Sequence, residues 1–106
     1  MPSNEILSLA ILEPLAGKEE DCLALLRDFY TLLDQKKYSR DLLYRDSKTP
    51  DKFIHLRVWR SEEARSEAQQ DPDVHHFWLR LPEVCNITTI CETLEPLFST
   101  YDKIPL

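Results

Sequence analysis

The sequence predicts an α+β domain in the order strand, helix, strand, strand, helix, strand, with an antiparallel sheet. Three observations carry this expectation. Phe53 to Arg60 alternates between two faces as a strand does and gives way at Ser61 to a helix start. A broad three-and-four apolar stripe runs from Lys18 to about Lys36. Two further strand-like runs, Tyr38 to Arg45 and Asn86 to Leu94, are bounded by turn formers or prolines.

Taken in order, Glu5 to Leu12 is dense in Leu and Ile and bounded by Pro14, which suits a central strand buried on both faces. Gly17, the single glycine, stands just ahead of the first helix, where a backbone angle that other residues tolerate poorly is expected. The helix carries Cys22, Leu25, Leu26, Phe29, Leu32 and Leu33 on its stripe, with Leu23 and Tyr30 alongside. Glu19, Glu20 and Asp21 at its start and Lys36 and Lys37 at its end match the helix dipole. The second strand, Tyr38 to Arg45, is more polar and hence more exposed, with Leu42 and Tyr44 on one face and Asp41, Leu43 and Arg45 on the other. Turn formers from Asp46 to Lys52 make a hairpin loop into the third strand. There Phe53, His55, Arg57 and Trp59 share one face and Ile54, Leu56 and Val58 the other.

Ser61 caps a helix that runs to about Gln70, with Glu62 and Glu63 in its first turn. Asp71-Pro72 stops it and starts another, with Asp71 as the cap and Pro72 at the first helical position. Val74, Phe77, Trp78 and Leu81 share a face of this segment. At about 100° per residue His75 lies on its flank and His76 nearly opposite, so the adjacent histidines are not a ready-made metal pair. Pro82 ends the segment, Asn86 to Leu94 is the fourth strand, and Pro96 closes it. The order is the ferredoxin-like one. A single domain over residues 1–106 is expected, with its core at about 5–96 and a tail from Leu97 to Leu106 bearing Phe98, Tyr101 and Ile104.

A net charge of −6 across 106 residues, with no concentrated basic face, argues against nucleic acid and against an anionic membrane. No apolar run approaches the length of a spanning helix, and residues 1–5 lack the regions of a signal peptide, so a cytoplasmic protein is expected. Cys22, Cys85 and Cys91 are odd in number and without C-x-x-C spacing, which fits reduced, buried thiols and no metal site. Both faces of the first and third strands are too apolar for bulk water, which predicts a homodimer joined through its sheet faces.

The strand-to-helix junction Val58-Trp59-Arg60-Ser61-Glu62-Glu63-Ala64 resembles that of the antibiotic biosynthesis monooxygenase domain family. The likeness extends over nearly the whole chain through Gly17 to Glu20, Tyr44 to Asp46, Asp51 to Phe53 and Asp71-Pro72. It implies sheets paired across a two-fold axis into a dimeric α/β barrel. Composition alone would turn Ile54, Leu56 and Val58 toward the chain's own helices; the resemblance implies that the Trp59 face lines a cavity there instead. The second reading is preferred, because His55 and Arg57 suit a wet pocket better than a dry core.

Family members that oxidise phenolic or dihydroxy aromatic substrates to quinones need neither metal nor flavin, so the resemblance implies no cofactor. Trp59 matches their strand-three tryptophan, and His55 stands where quinone-forming members carry asparagine, a position for a general base near neutral pH. These two are the candidate catalytic residues, and Arg57, Arg65, His75, Phe77 and Trp78 the candidate substrate-binding ones. The helix-two tyrosine of such members falls on Arg65 and their arginine on Trp78. The haem-degrading set falls on Ala10, Gln69 and Leu79, which excludes haem chemistry. The expected function is a cofactor-independent monooxygenase acting on a small aromatic, phenolic or quinol substrate. The alternative is a non-catalytic or stress-associated module that holds a small apolar ligand in the same pocket.

Overall fold

The computed structural model describes residues 4–100. Strand β1 (Ile6–Pro14) is followed by helix α1 (Glu19–Gln35), strands β2 (Ser39–Arg45) and β3 (Phe53–Trp59), helices α2 (Glu62–Gln70) and α3 (Pro72–Arg80), a short 3-10 turn at Leu81–Glu83 and strand β4 (Cys85–Leu94). The sheet order is β2-β3-β1-β4, and all three pairings are antiparallel. The apolar β1 and β3 are thus central and the more polar β2 is an edge.

Local chemistry sets the boundaries. Gly17 has φ +74°, a left-handed angle that admits glycine without strain, and turns the chain into α1. At the other end Lys37 takes φ 61° and the Tyr38 amide donates to Leu33 O at 2.9 Å, which terminates the helix. Lys36 does not stay on its own helix end: its ammonium reaches Asp71 at 2.7 Å and Asp73 at 2.8 Å, tying α1 to the α2–α3 junction. Ser61 Oγ accepts from the Ala64 amide at 3.0 Å, and Asp71 Oδ1 from the Asp73 amide at 2.9 Å, so both helices carry side-chain caps.

The helices cover one face of the sheet. Between them lies a core that includes Leu12, Leu26, Phe29, Leu33, Phe53, Trp59 and Val74. Strand β3 therefore turns Phe53, His55, Arg57 and Trp59 inward, as the family resemblance implied and contrary to composition alone. The opposite face is open. It presents Leu7, Leu9 and Ile11 of β1, Ile54 and Leu56 of β3, and Leu42 and Tyr44 of β2, all half-buried except Tyr44, which is exposed.

The expected closure into an α/β barrel is not found. The sheet is open, with β2 and β4 as edges separated by both central strands, so neither edge can reach the other. Four strands make an arc, whereas enclosing a filled interior takes about eight. The β-α-β-β-α-β order and antiparallel pairing stand, with the second helical region split at Asp71.

Among the described residues no helix is long and apolar enough to cross a membrane, and no cluster of three metal-ligating side chains occurs. Cys22 and Cys85 are buried, Cys91 is half-buried, and all three are free thiols. In the tail Leu97 and Phe98 are exposed; Tyr101 and Ile104, like Met1 to Ser3, lie outside the described residues.

Candidate functional site

A cleft of about 510 Å³ opens between the sheet and the helices. Its floor is the inward face of β3 and β1, where His55, Arg57 and Trp59 stand beside Ser8 and Ala10. Helix α1 supplies Leu26 and Phe29, α2 supplies Glu62, Arg65 and Gln69, and α3 supplies Trp78. On the far side Ile87 and Ile90 of β4 both face the cleft although they are three residues apart. A register shift between Ile11 and Leu12 accounts for it, since the irregularity resets the alternation of β4. Both isoleucines are exposed, and they form an apolar lip.

Arg57 is the charged centre of the floor. Its Nε donates to Asp41 Oδ1 at 2.7 Å, the two residues being register partners across β2 and β3. Its guanidinium carbon lies 5.0 Å from the Phe29 ring centroid and 5.2 Å from that of Trp59, so two aromatic rings hold it in place. The Asp41 side chain is sealed from solvent, and its Oδ2 has no hydrogen-bond partner among the described residues. Burial raises the Asp41 carboxyl, opposed by the charge of Arg57.

His55 is buried, and its Nδ1 is hydrogen-bonded to the Tyr30 hydroxyl from α1. Burial first, and then the neighbouring Arg57, push its pKa down from 6.5 to about 3. The ring is neutral at working pH. Burial, followed by the Asp41 charge, pushes the Tyr30 phenol up, so that group is also neutral.

Three of the expected residues, Arg65, Phe77 and His75, have other duties. Arg65 lines the cleft mouth, and three of its donors go to Glu62 Oε2 at 2.6 Å, Glu92 O at 3.2 Å and Thr93 Oγ1 at 3.1 Å, so it straps α2 to β4. Trp78 contributes to the wall, its ring edge-on to Phe29 with centroids 6.5 Å apart. Phe77 and His75 lie outside the lining. Phe77 stacks on Phe29 at 5.1 Å and 5°, and the exposed His75 donates to Gln69 O and packs edge-on against Trp78.

Tyr30 and Asp41 are the residues that sequence reasoning missed. Tyr30 sits beside the α1 stripe, where an aromatic reads as packing. Asp41 carried a usable signal, since an acid on the strand face shared with Leu43 calls for a buried partner.

No family model matches the sequence, and no curated protein matches it. Solved structures do. SnoaB, a cofactor-independent oxygenase from Streptomyces nogalater, matches with a TM-score of 0.73 and 12% identity over 98% of this chain and 100% of that one. The chain shares the fold of that structure. Rv0793 from Mycobacterium tuberculosis matches with a TM-score of 0.73 and 18% identity over 92% of this chain and 99% of that one. A candidate antibiotic biosynthesis monooxygenase from Chloroflexus aurantiacus J-10-fl matches at 0.68 and 17%, over 95% and 99%. At these identities the likeness is one of fold, and the site must be argued from its own residues.

Proposed function

We propose that the chain is a cofactor-independent monooxygenase that oxidises a small phenolic or quinol substrate with dioxygen. The observation that carries the reading is the cleft itself. It has apolar and aromatic walls from Leu26, Phe29, Trp78, Ile87 and Ile90, and a floor on which His55, Arg57 and Trp59 stand in a row. The shared fold with an oxygenase that needs no cofactor supports it. In such a reaction a phenol and dioxygen give a quinone and water: one oxygen atom enters the ring, the other leaves as water, and the substrate supplies every electron. The chain's task is to hold the ring, exclude bulk water and stabilise charge on the phenolic and peroxide oxygens. His55 and Trp59 are the groups placed to touch the reacting ring, with Arg57 and Trp78 binding it and Arg65 holding the mouth in shape.

Anaerobic mixing with a panel of hydroquinones and anthrone-like phenols, followed by oxygen, tests the proposal. Protein-dependent oxygen uptake that His55→Ala reduces is expected. Tight binding of one compound with no oxygen uptake from any would instead establish the small-molecule-binding module. The open sheet face of Leu7, Leu9, Ile11, Ile54 and Leu56 supports a second copy of this chain as its cover, since a leucine- and isoleucine-rich face is complementary to itself across a two-fold axis. Sedimentation at micromolar concentration should give a dimer, and a monomer there overturns this part of the proposal.

A further inference from the structure

The direction of the Tyr30–His55 hydrogen bond decides what the cleft can bind. Apart from the bond to His55 Nδ1, the Tyr30 hydroxyl has no partner among the described residues. If Nδ1 carried the imidazole proton, the phenol proton of the half-buried Tyr30 would be left without an acceptor among the described residues. With the phenol donating, Nδ1 is bare and the single imidazole proton resides on Nε2. Burial beside Arg57 disfavours a second proton on the ring.

His55 Nε2, the two Arg57 Nη groups and Trp59 Nε1 make no hydrogen bond among the described residues, and none belongs to the sealed, unpartnered atoms. All three side chains line the cleft. They stand at alternate positions of one strand, about 7 Å apart along it. In the tautomer set by Tyr30 every one of them is a donor. A neutral phenol oxygen can accept from this row but finds no acceptor in it for its own proton, whereas a phenolate oxygen accepts from the row and leaves no proton unpaired.

We infer that Tyr30 is a positioning residue that fixes His55 as a hydrogen-bond donor, and that the cleft takes its aromatic ligand as a preformed phenolate or enolate anion. The favoured class is phenols and enols ionised near neutral pH, those with an electron-withdrawing group conjugated to the hydroxyl. The charged groups around the row are these. Around His55, β3 contributes Arg57, β2 contributes Asp41 with one oxygen held by Arg57, α1 contributes Tyr30, and Ala10 and Leu43 are its uncharged register partners. At the mouth Glu62 is tied to Arg65, and Glu92 is exposed.

This inference rests on the cleft being the substrate site proposed above, and binding measurements separate the two. The full chain is titrated with 4-nitrophenol across a pH series, following the visible absorbance of nitrophenolate, with 4-nitroanisole as the neutral competitor. The expected result is a bound-state ligand pKa lowered by at least one unit, equivalent to a tenfold or greater preference for the anion, with 4-nitroanisole at least tenfold weaker. Nitrogen-15 NMR of the unsubstituted protein should show His55 protonated at Nε2 and bare at Nδ1, free and bound. Tyr30→Phe should admit the other tautomer and reduce the pKa displacement. An unchanged or raised ligand pKa, equal binding of 4-nitroanisole, no binding of nitrophenol, or a bare Nε2 or an imidazolium in the complex would each overturn the inference. Phenolate binding without oxygen uptake from any substrate would leave it standing and sink the oxygenase; oxygen uptake with neutral phenol bound would do the reverse.

Discussion

The depressed pKa of His55 makes the protein acid-sensitive over a window set by one residue. In the unfolded chain the imidazole titrates near its ordinary value of about 6.5, and in the folded one near 3. Between these values the unfolded state binds a proton that the folded state refuses, so stability rises with pH across the interval and is lost as pH falls. The full displacement corresponds to about 5 kcal/mol, and at about pH 5 the loss relative to neutral pH is about 2 kcal/mol. For a domain holding about 5–15 kcal/mol that is a large fraction. With a urea dependence of about 1–1.5 kcal/mol per molar, the midpoint should fall by roughly 1.5 M. Asp41, raised by burial, acts with the opposite sign, and Asp71, lowered to about 2 by Lys36 and Tyr38, matters only in stronger acid. Comparison with His55→Gln removes these shared contributions, because both acids remain. Urea titrations of the two proteins at neutral pH and at about pH 5 should give a midpoint drop in the wild type that the variant largely lacks. Equal drops in both would refute the account of a buried, neutral His55.

Four further outcomes follow from packing and backbone geometry. Asp41→Leu alone should cost about 3–5 kcal/mol by stranding Arg57, whereas Asp41→Leu with Arg57→Met should recover most of that loss, since a buried ion pair is rarely a net stabiliser; a double-mutant cycle by chemical denaturation measures the coupling. Phe29→Ala removes a ring that is 1% exposed and packs on Phe77, Trp78 and Arg57, so about 3–5 kcal/mol should be lost in thermal unfolding. Ser61→Ala deletes the α2 cap and should cost about 1 kcal/mol in the same measurement. Gly17→Ala meets nothing within 4 Å yet must hold φ +74°, so a loss of about 1 kcal/mol should come from the backbone alone.

The fold was legible wherever the governing physics is local. The α1 stripe, the Ser61 and Asp71-Pro72 starts and the turn formers of Asp46 to Lys52 each act within a few residues, and the helix bounds at Glu62–Gln70 and Pro72–Arg80 follow from them. The facing of β3 was not legible from composition, because Ile54, Leu56 and Val58 make the more apolar side. What turns Arg57 and His55 inward is supplied from afar: Asp41 arrives by strand register and Tyr30 from a helix 25 residues away in sequence. The helical wheel grouped Phe77 with Trp78 but could not tell which neighbour each would meet. Phe29 takes Phe77 by stacking and leaves Trp78 to the cleft. Barrel closure was a property carried over from resemblance, and the open β2 and β4 edges correct it.

A single strand thus serves two opposed purposes. On one side β3 presents aliphatic residues that need a cover; on the other it holds a guanidinium and an imidazole within a largely apolar layer. Stability alone gives little reason for the second arrangement. Burying Arg57 with Asp41 requires both to be desolvated, one carboxylate oxygen is left without a partner among the described residues, and apolar residues of similar volume would fill the layer at no greater cost. The aromatic clamp of Phe29 and Trp59 fixes the guanidinium at the cleft floor rather than letting it extend to bulk water. A charge held there at energetic disadvantage, at the floor of a cleft with apolar walls, supports the anion site proposed above. The cleft is accordingly the part of the chain where local rules of sequence yield to chemistry.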